Sequence, residues 1–491
     1  MHDLELLIPL VVFLLACAGV AFFLRSRMDL HAFTGVYYLG GRSMGGFVLA
    51  MTTIASIVSI SIFLDGPNQA WDHGFGWIYL AICQVVMFIL AFGALGKKLA
   101  LIGRKIGAVT IVDVIRHRYH SDSIASIAAL MIIVFFLAIV VAQLVGSAFI
   151  FQTVTGYSYV TGLFLIGGTA VIITAVGGFR GVAVTDALCV VAIVVGIVIL
   201  VGGILTSGGG YDQVVEGIRR TSPGVLSIDG GGSLGADTAL TQWLMLGILP
   251  LVLPQTMVRV LGAKDTRALR HGMVWGTAVI GIIVIGALSL GVLAHGVLPA
   301  TTDIESFGGV APIAMALGLP TWLAGICVVG PLAAAFSTAT SLLITISSSQ
   351  MKDLLMHKRK NQGRAIPHQH AVSLAQWSTI GFGVLVVVLA LFPPTFIWWI
   401  DFFAFGGLES AFVWIMVLGL FWKRATKHGA LASLVGGALA YCLALLLGPA
   451  ALGGCPPIVI GVGVSLVCMV AGSLASKPDT HPELESVFFP R

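Results

Sequence analysis

Residues 333–350 read "AAAFSTATSLLITISSSQ", and eight of these side chains are hydroxyls. The stretch is long enough to cross a bilayer, whose hydrocarbon core of about 30 Å needs roughly 20 helical residues. A single hydroxyl in such a helix ordinarily bonds back to a carbonyl one turn earlier or ties two helices together. The density here points further. Ser337, Thr338 and Ser341 share one helix face, beside the small residues Ala333, Ala334 and Ala335 that let another helix approach. A hard monovalent cation such as Na+ takes about five neutral or anionic oxygens, by analogy with other hard cations. Two adjacent hydroxyls and carbonyls released by a broken helix would supply that set without a carboxylate, which suits weak, reversible binding. The chemistry these residues suit is coordination of a hard monovalent cation.

Released carbonyls require broken helices, and two apolar segments look broken. One is "GGFVLAMTTIASIVSISIFLDGPNQAW", with hydroxyls at Thr52, Thr53, Ser56, Ser59 and Ser61 and then Asp65 beside the breaker pair Gly66-Pro67. The other is "LTQWLMLGILPLVLPQTMVRVL", with Gly247, Pro250 and Pro254. Each proline removes a donor and frees a carbonyl upstream, tolerable in hydrocarbon only inside protein or beside a polar cavity. Ordinary proline kinking would also produce such segments. Two of them, five spans apart, fit transporters built from two inverted repeats with a broken helix in each.

The whole chain fits a membrane setting. It is 58% hydrophobic and 10% charged over 491 residues, too little charge for a soluble surface. The pattern predicts an all-α polytopic membrane protein with thirteen spans, near 5–24, 44–65, 74–95, 124–152, 160–176, 182–206, 240–260, 272–296, 320–348, 371–392, 396–421, 429–447 and 456–475. With the N-terminus outside and the C-terminus inside, 24 of the 26 basic residues fall on the cytoplasmic side, from Arg25, Arg27 and Arg42 to Lys477 and Arg491, as the positive-inside rule requires. The first span is read as a membrane helix rather than a signal peptide. The expected organisation is a leading helix and loop (1–43), a first inverted repeat (44–206, spans 2–6), an outer loop (207–239), a second repeat (240–421, spans 7–11), two trailing helices (422–476) and a cytoplasmic tail (477–491). No soluble domain is attached, the seven cysteines show no CxxC pair, and no HExxH or acid pair suggests an enzyme. A channel would want rings of charge along a polar stripe, which are absent from the sequence.

The chain resembles the sodium:solute symporter family, and within it the sodium/pantothenate branch. The matching stretches include "YYLGGRSMGGFVLAMT" (37–52), "GFGWIYLA" (74–81), "LGKKLALIGRKIGAVTIVDVIRHRY" (95–119), "GGFRGVAVTD" (177–186), "PQTMVRVLGAKD" (254–265), "AAAFSTATSLLITISSSQMKDLL" (333–355), "FGGLES" (405–410) and "LGLFWKRATKHGA" (418–430). The resemblance covers roughly residues 35–435. It implies a LeuT-like core of two inverted five-helix repeats. It also implies a sodium site made by the backbone carbonyls of Ala55, Val58 and Ala334 with the hydroxyls of Ser337 and Thr338. Asp186, an acid at the start of the sixth span, is either a functional intramembrane carboxylate or the partner of nearby Arg180; the resemblance implies a place on the sodium exit path. The family's usual "GPG" is "GPN" here, and Ile57 stands where many relatives carry an acid. Asp65 would line a vestibule, bind a second cation or cap a helix, capping being the first expectation.

The expected function is sodium-coupled import of a small organic anion, pantothenate first, by alternating access. Alternatives are a short monocarboxylate or amino acid as substrate, or a non-transporting membrane solute sensor. Ser59, Ser61, Gln84, Trp243, Gln255, Phe405 and Glu409 should lie nearest the substrate, although each would equally serve helix packing. No buried Arg or Lys is evident to meet a carboxylate, but free amides at a half-helix N-terminus can hold an anion. The expected partners are sodium, the organic substrate and the lipid bilayer, with no nucleic acid and with a monomer as the working unit.

Overall fold

A computed structural model describes residues 4–25, 33–299, 302–304, 309–316, 319–364, 366–393, 397–482 and 484–490. Arg27 and Arg491, counted above among the cytoplasmic cations, lie outside these residues. The elements that matter are helices: α1 (Leu4–Arg25), α2 (Gly46–Ile57), α3 (Asp65–His73), α4 (Phe75–Lys105), α5 (Ile111–Tyr119), α6 (Asp122–Thr155), α7 (Tyr159–Ser207), α8 (Ala236–Val252), α9 (Pro254–Gly262) and α10 (Thr266–Ala294). After them come α11 (Thr321–Ser348), α12 (His368–Ala390), α13 (Ile397–Phe421), α14 (Lys427–Ala451) and α15 (Pro457–Ala475).

Local sequence explains most boundaries. Thr110 and Asp113 form a reciprocal capping box at the start of α5, and Ser121, Ser158 and Asp265 accept backbone N–H bonds at the starts of α6, α7 and α10. Gly156 closes α6 in the left-handed conformation at φ 73°.

Among the described residues, ten helices are long and apolar enough to cross a membrane, or up to twelve if each of two bent pairs is one span. The bent pairs are α2 with the segment running into α3 (80°) and α8 with α9 (42°). The reading of thirteen divides α7. At 49 residues α7 would run about 74 Å if straight, more than twice the hydrocarbon core. Its backbone leaves the helical region at Gly178, φ 55° and ψ −164°, where a Cβ would stand 2.7 Å from the Tyr37 ring. The two expected spans 160–176 and 182–206 flank this point.

At the centre lies α11, with 94% of its apolar window buried inside the protein, against 22% for α1. It packs on α6, α7, α2 and α12. A helix buried on all sides has no lipid-facing surface to keep apolar, so its hydroxyls face other protein.

The first break sits where the chain runs past α11, and α9, which follows the second, packs on the same helix; the first break is placed differently from the sequence expectation. α2 ends at Ile57; Val58 (φ −69°, ψ 100°) and Ser59 (φ −89°, ψ 175°) are extended, followed by a single tight turn at Ile60–Ile62. Gly66-Pro67 instead falls within the first turn of α3, where a missing proline N–H leaves no helix bond unmade. The second break is where the prolines put it: Leu253 is extended and Pro254 opens α9.

Candidate cation and substrate site

Because α2 stops at Ile57, its last carbonyls lack the N–H partners that another turn would give. Two hydroxyls of α11 reach them. Ser337 Oγ donates to Ala55 O at 3.0 Å and to Ala334 O at 3.1 Å. Thr338 Oγ1 donates to Ala55 O at 3.1 Å and to Val58 O at 3.0 Å. The five residues named for sodium from the resemblance therefore gather into one cluster of oxygens. Both Ser337 and Thr338 are wholly buried. The other hydroxyls of the helix divide: Thr340, Thr345 and Ser348 bond back within α11, whereas Ser341 and Ser347 bond across to other helices.

One helical turn away lies a second polar group. Asp186 Oδ2 accepts from Thr52 Oγ1 at 2.6 Å and Ser341 Oγ at 3.1 Å, and the Arg259 guanidinium stands 3.5 Å from it. Arg259 also donates to Thr52 O (2.8 Å), Gln255 O (2.9 Å) and Ser341 Oγ (2.7 Å). Asp186 and Arg259 are both buried, so α2, α7, α9 and α11 are knotted together in a region without water to screen the charges. Two sequence expectations change here. Asp186 pairs with Arg259 rather than the exposed Arg180, and it lies in the protein interior rather than at an interface. Arg259, counted among the loop cations, is a buried arginine of the kind judged missing. Its place five residues after the proline that opens a short half-helix was the available signal.

On the other side of the oxygen cluster the two breaks wall a cavity with about 160 Å³ of water-accessible space. Ile57, Val58 and Ser59 come from the first break and Pro250 and Leu253 from the second. Of the expected substrate residues, Ser59, Ser61, Gln84, Phe405 and Glu409 line it. Trp243 and Gln255 do not. Trp243 is 40% exposed on the outer surface of α8 while its neighbour Gln242 faces the cavity, the usual consequence of a 100° step per residue. Gln255 is wholly buried in the first turn of α9, with neither side-chain polar atom bonded; its carbonyl holds Arg259.

Asp65 also lines the cavity, and it is not a cap: Leu64 holds the N-cap position of α3 and no side chain caps the turn. Asp401 was not anticipated, although an acid inside the apolar run "IWWIDFFAF" was a signal of the kind that marks function. It is 6% exposed and lines the cavity. Its Oδ2 accepts from Ser61 Oγ at 3.1 Å and from Gln143 Nε2 at 3.4 Å, and Gln143 Oε1 accepts from Ile60 N at 2.9 Å. Among the described residues, Asp401 Oδ1 and both oxygens of Glu409 have no hydrogen-bond partner.

This arrangement can hold a small cation beside a mostly apolar cavity, with one residue, Val58, belonging to both. Comparisons with known proteins agree in kind. The model of the sodium:solute symporter family matches residues 37–437. The sodium/pantothenate symporter of Escherichia coli (strain K12) is 34% identical over 475 residues, 96% of each chain. That of Haemophilus influenzae is 36% identical over 448 residues, 91% of each chain. Among solved structures, a Na+-coupled sialic acid symporter in a substrate-bound outward-open state matches with a TM-score of 0.82 at 18% identity, over 98% of this chain and 99% of that one. Mhp1, a nucleobase-cation-symport-1 family transporter, matches at 0.57 and 15% identity over 91% of this chain and 96% of that one. These likenesses establish an all-α, LeuT-like transporter fold.

Proposed function

Because this chain belongs to the sodium:solute symporter family and is a sodium-coupled, multi-pass membrane symporter, we propose that its organic substrate is pantothenate and that sodium binds at Ala55, Val58, Ala334, Ser337 and Thr338. Sodium is a co-substrate here rather than a resident cofactor. The observation that carries the reading is Val58, whose carbonyl belongs to the oxygen cluster and whose side of the broken backbone lines the cavity. An ion that fixes Val58 fixes the cavity wall, so sodium and substrate each tighten the other's binding. The pantothenate assignment is supported by the two sodium/pantothenate symporters matched over nine-tenths or more of this chain.

In this reading the substrate lies among Ser59, Ser61, Gln84, Phe405 and Glu409. Its carboxylate turns toward the free N–H groups at the start of α9, just beyond Leu253. Asp186 lies on the sodium exit path: its two hydroxyl donors, Thr52 and Ser341, are one turn from Ala55 and Ser337. Release inward requires the Asp186–Arg259 knot to open as one repeat rocks against the other. The chain crosses the membrane thirteen times, N-out and C-in, with repeats at 44–206 and 240–421, and works as a monomer.

The test is pantothenate uptake into proteoliposomes under an inward sodium gradient, with choline replacement as control and the Ser337→Ala/Thr338→Ala double variant beside the wild type. Sodium-dependent uptake that the variant loses by tenfold or more (about 1.4 kcal/mol or more) is expected. Absence of uptake, with sodium still protecting the purified protein through the same two residues, would discard pantothenate and turn the search to other small carboxylates.

A further inference from the structure

Asp65, Asp401 and Glu409 line one cavity, and among the described residues no lysine, arginine or histidine lines it. The buried arginine of this region, Arg259, lies off the cavity and is occupied by Thr52, Gln255, Ser341 and Asp186. An organic anion entering such a space meets charge of its own sign in a low dielectric, where repulsion is strong. A cation must travel with it.

We propose that the cavity binds a second sodium ion through the Asp401 carboxylate and the Ser61 hydroxyl, and that this ion accompanies the substrate. Only the link to an anionic substrate rests on the pantothenate reading; the ion site does not.

Three features select Asp401. Its side chain is nearly wholly buried, yet Oδ1 has no partner among the described residues while the residue faces the cavity. Its Oδ2 receives two donors, Ser61 Oγ and the amide of wholly buried Gln143, which fix the orientation of the carboxylate. The hydroxyl oxygen that stands 3.1 Å from the carboxylate belongs to the tight turn after α2, where the backbone has left the α-helix. Hydroxyl and carboxylate oxygens side by side are ligands for a hard cation. Among the described residues no three His, Cys, Asp or Glu side chains come together as a metal-binding group, so a singly charged ion fits better than a divalent one.

The position also explains coupling. Ser61 is three residues from Val58 on the same broken segment, so an ion at the first cluster holds the segment in the shape that presents Ser61 to Asp401. The two ions then bind cooperatively without touching.

Sodium binding to the purified full-length protein, in choline buffer and without organic substrate, tests the site. Radioactive sodium should saturate at about two ions per chain in the wild type and about one in Asp401→Asn or Ser61→Ala. Asp401→Asn should keep the thermal protection conferred through Ser337 and Thr338, which shows that it is folded. The Ser337→Ala/Thr338→Ala variant should keep a weaker sodium response that adding Asp401→Asn removes. One ion per wild-type chain, or an Asp401→Asn protein that titrates as the wild type does, overturns the proposal. So does protection in sodium-free buffer on going from pH 8 to pH 6 that Asp401→Asn abolishes, because Asp401 would then carry a proton.

Uptake provides the second readout. Two sodium ions with one monovalent anion move one net charge, so accumulation should rise up to about fifty-fold per 100 mV of inside-negative potential. Indifference to potential would overturn the proposal. If pantothenate is not taken up at all, the substrate reading fails, while the sodium titration still decides the site.

Discussion

The polar groups on the two sides of the oxygen cluster are treated in opposite ways. Around Asp186 most groups are paired: Arg259, Thr52 and Ser341 bind one another and the carboxylate, and Asp186 Oδ1 and the Gln255 amide are left over among the described residues. Around the cavity the acceptors are in surplus, with Asp401 Oδ1 and both Glu409 oxygens unbonded. Buried polar groups without partners cost stability, and evolved sites keep them where a ligand supplies the missing contact. The first region is therefore a closure and the second a receptor. The helix that ends between them, α2, gives Thr52 to one and Val58 to the other.

The sharpest way to break this contrast is at Arg259. Arg259→Ala leaves the Asp186 carboxylate buried without its cation, which should cost about 3–5 kcal/mol, read as a large fall in the thermal unfolding temperature of the detergent-purified protein. Replacing both residues with alanine should recover part of the loss, with a coupling of about 1–3 kcal/mol in the cycle. A loss under about 1 kcal/mol for Arg259→Ala would mean that the knot does not hold the four helices. A smaller effect of different kind is expected at Glu409. Its oxygens have no partner among the described residues, so Glu409→Gln, which removes a buried unpaired acid, should not lower stability while weakening substrate binding about tenfold, the value of one hydrogen bond to a charged group. If the substitution instead destabilises the protein as much as Arg259→Ala does, Glu409 belongs to the scaffold and the receptor side loses a member.

The same contrast explains what could be read from the sequence. Half of the oxygen cluster was legible from local signals, because Ser337 and Thr338 are adjacent hydroxyls on one helix face with alanines beside them; the carbonyls of Ala55, Val58 and Ala334 came from the family resemblance alone. The fold was legible because lipid forces every span to declare itself as an apolar run. Three things were not. The exact break after Ile57 has no proline or glycine of its own; it is imposed by packing against α11, and Gly66-Pro67 drew attention eight residues downstream. Trp243 looked polar enough for the cavity, but one residue's rotation sends it to the outer surface and Gln242 inward. Arg259 and Asp186 lie 73 residues apart, and a pairing at that distance leaves no trace in spacing. Arg259 looked like one more cation near a loop, whereas Asp401 was visible as an acid in an apolar run and was passed over.

The smallest test lies at the edge of the closed side, where the chain leaving α11 meets α5. Lys352 pairs with Asp113, whose carboxylate also accepts from the amides of Val109 (2.8 Å) and Thr110 (3.1 Å). Burial alone would raise the acid's pKa, but the Lys352 ammonium and these amides together hold it below the ordinary carboxylate range. A depressed pKa contributes stability that is complete above the unfolded value of about 3.9 and is lost as pH falls through the folded one. Lys352→Ala should therefore cost about 1 kcal/mol at pH 5, the scale of a partly exposed ion pair. Below about pH 4 the difference between variant and wild type should close, because the wild type loses what the variant never had. A difference that persists unchanged at pH 3 would show that Lys352 acts by packing its alkyl chain, and the closed side would then be held at its edge by contact rather than by charge.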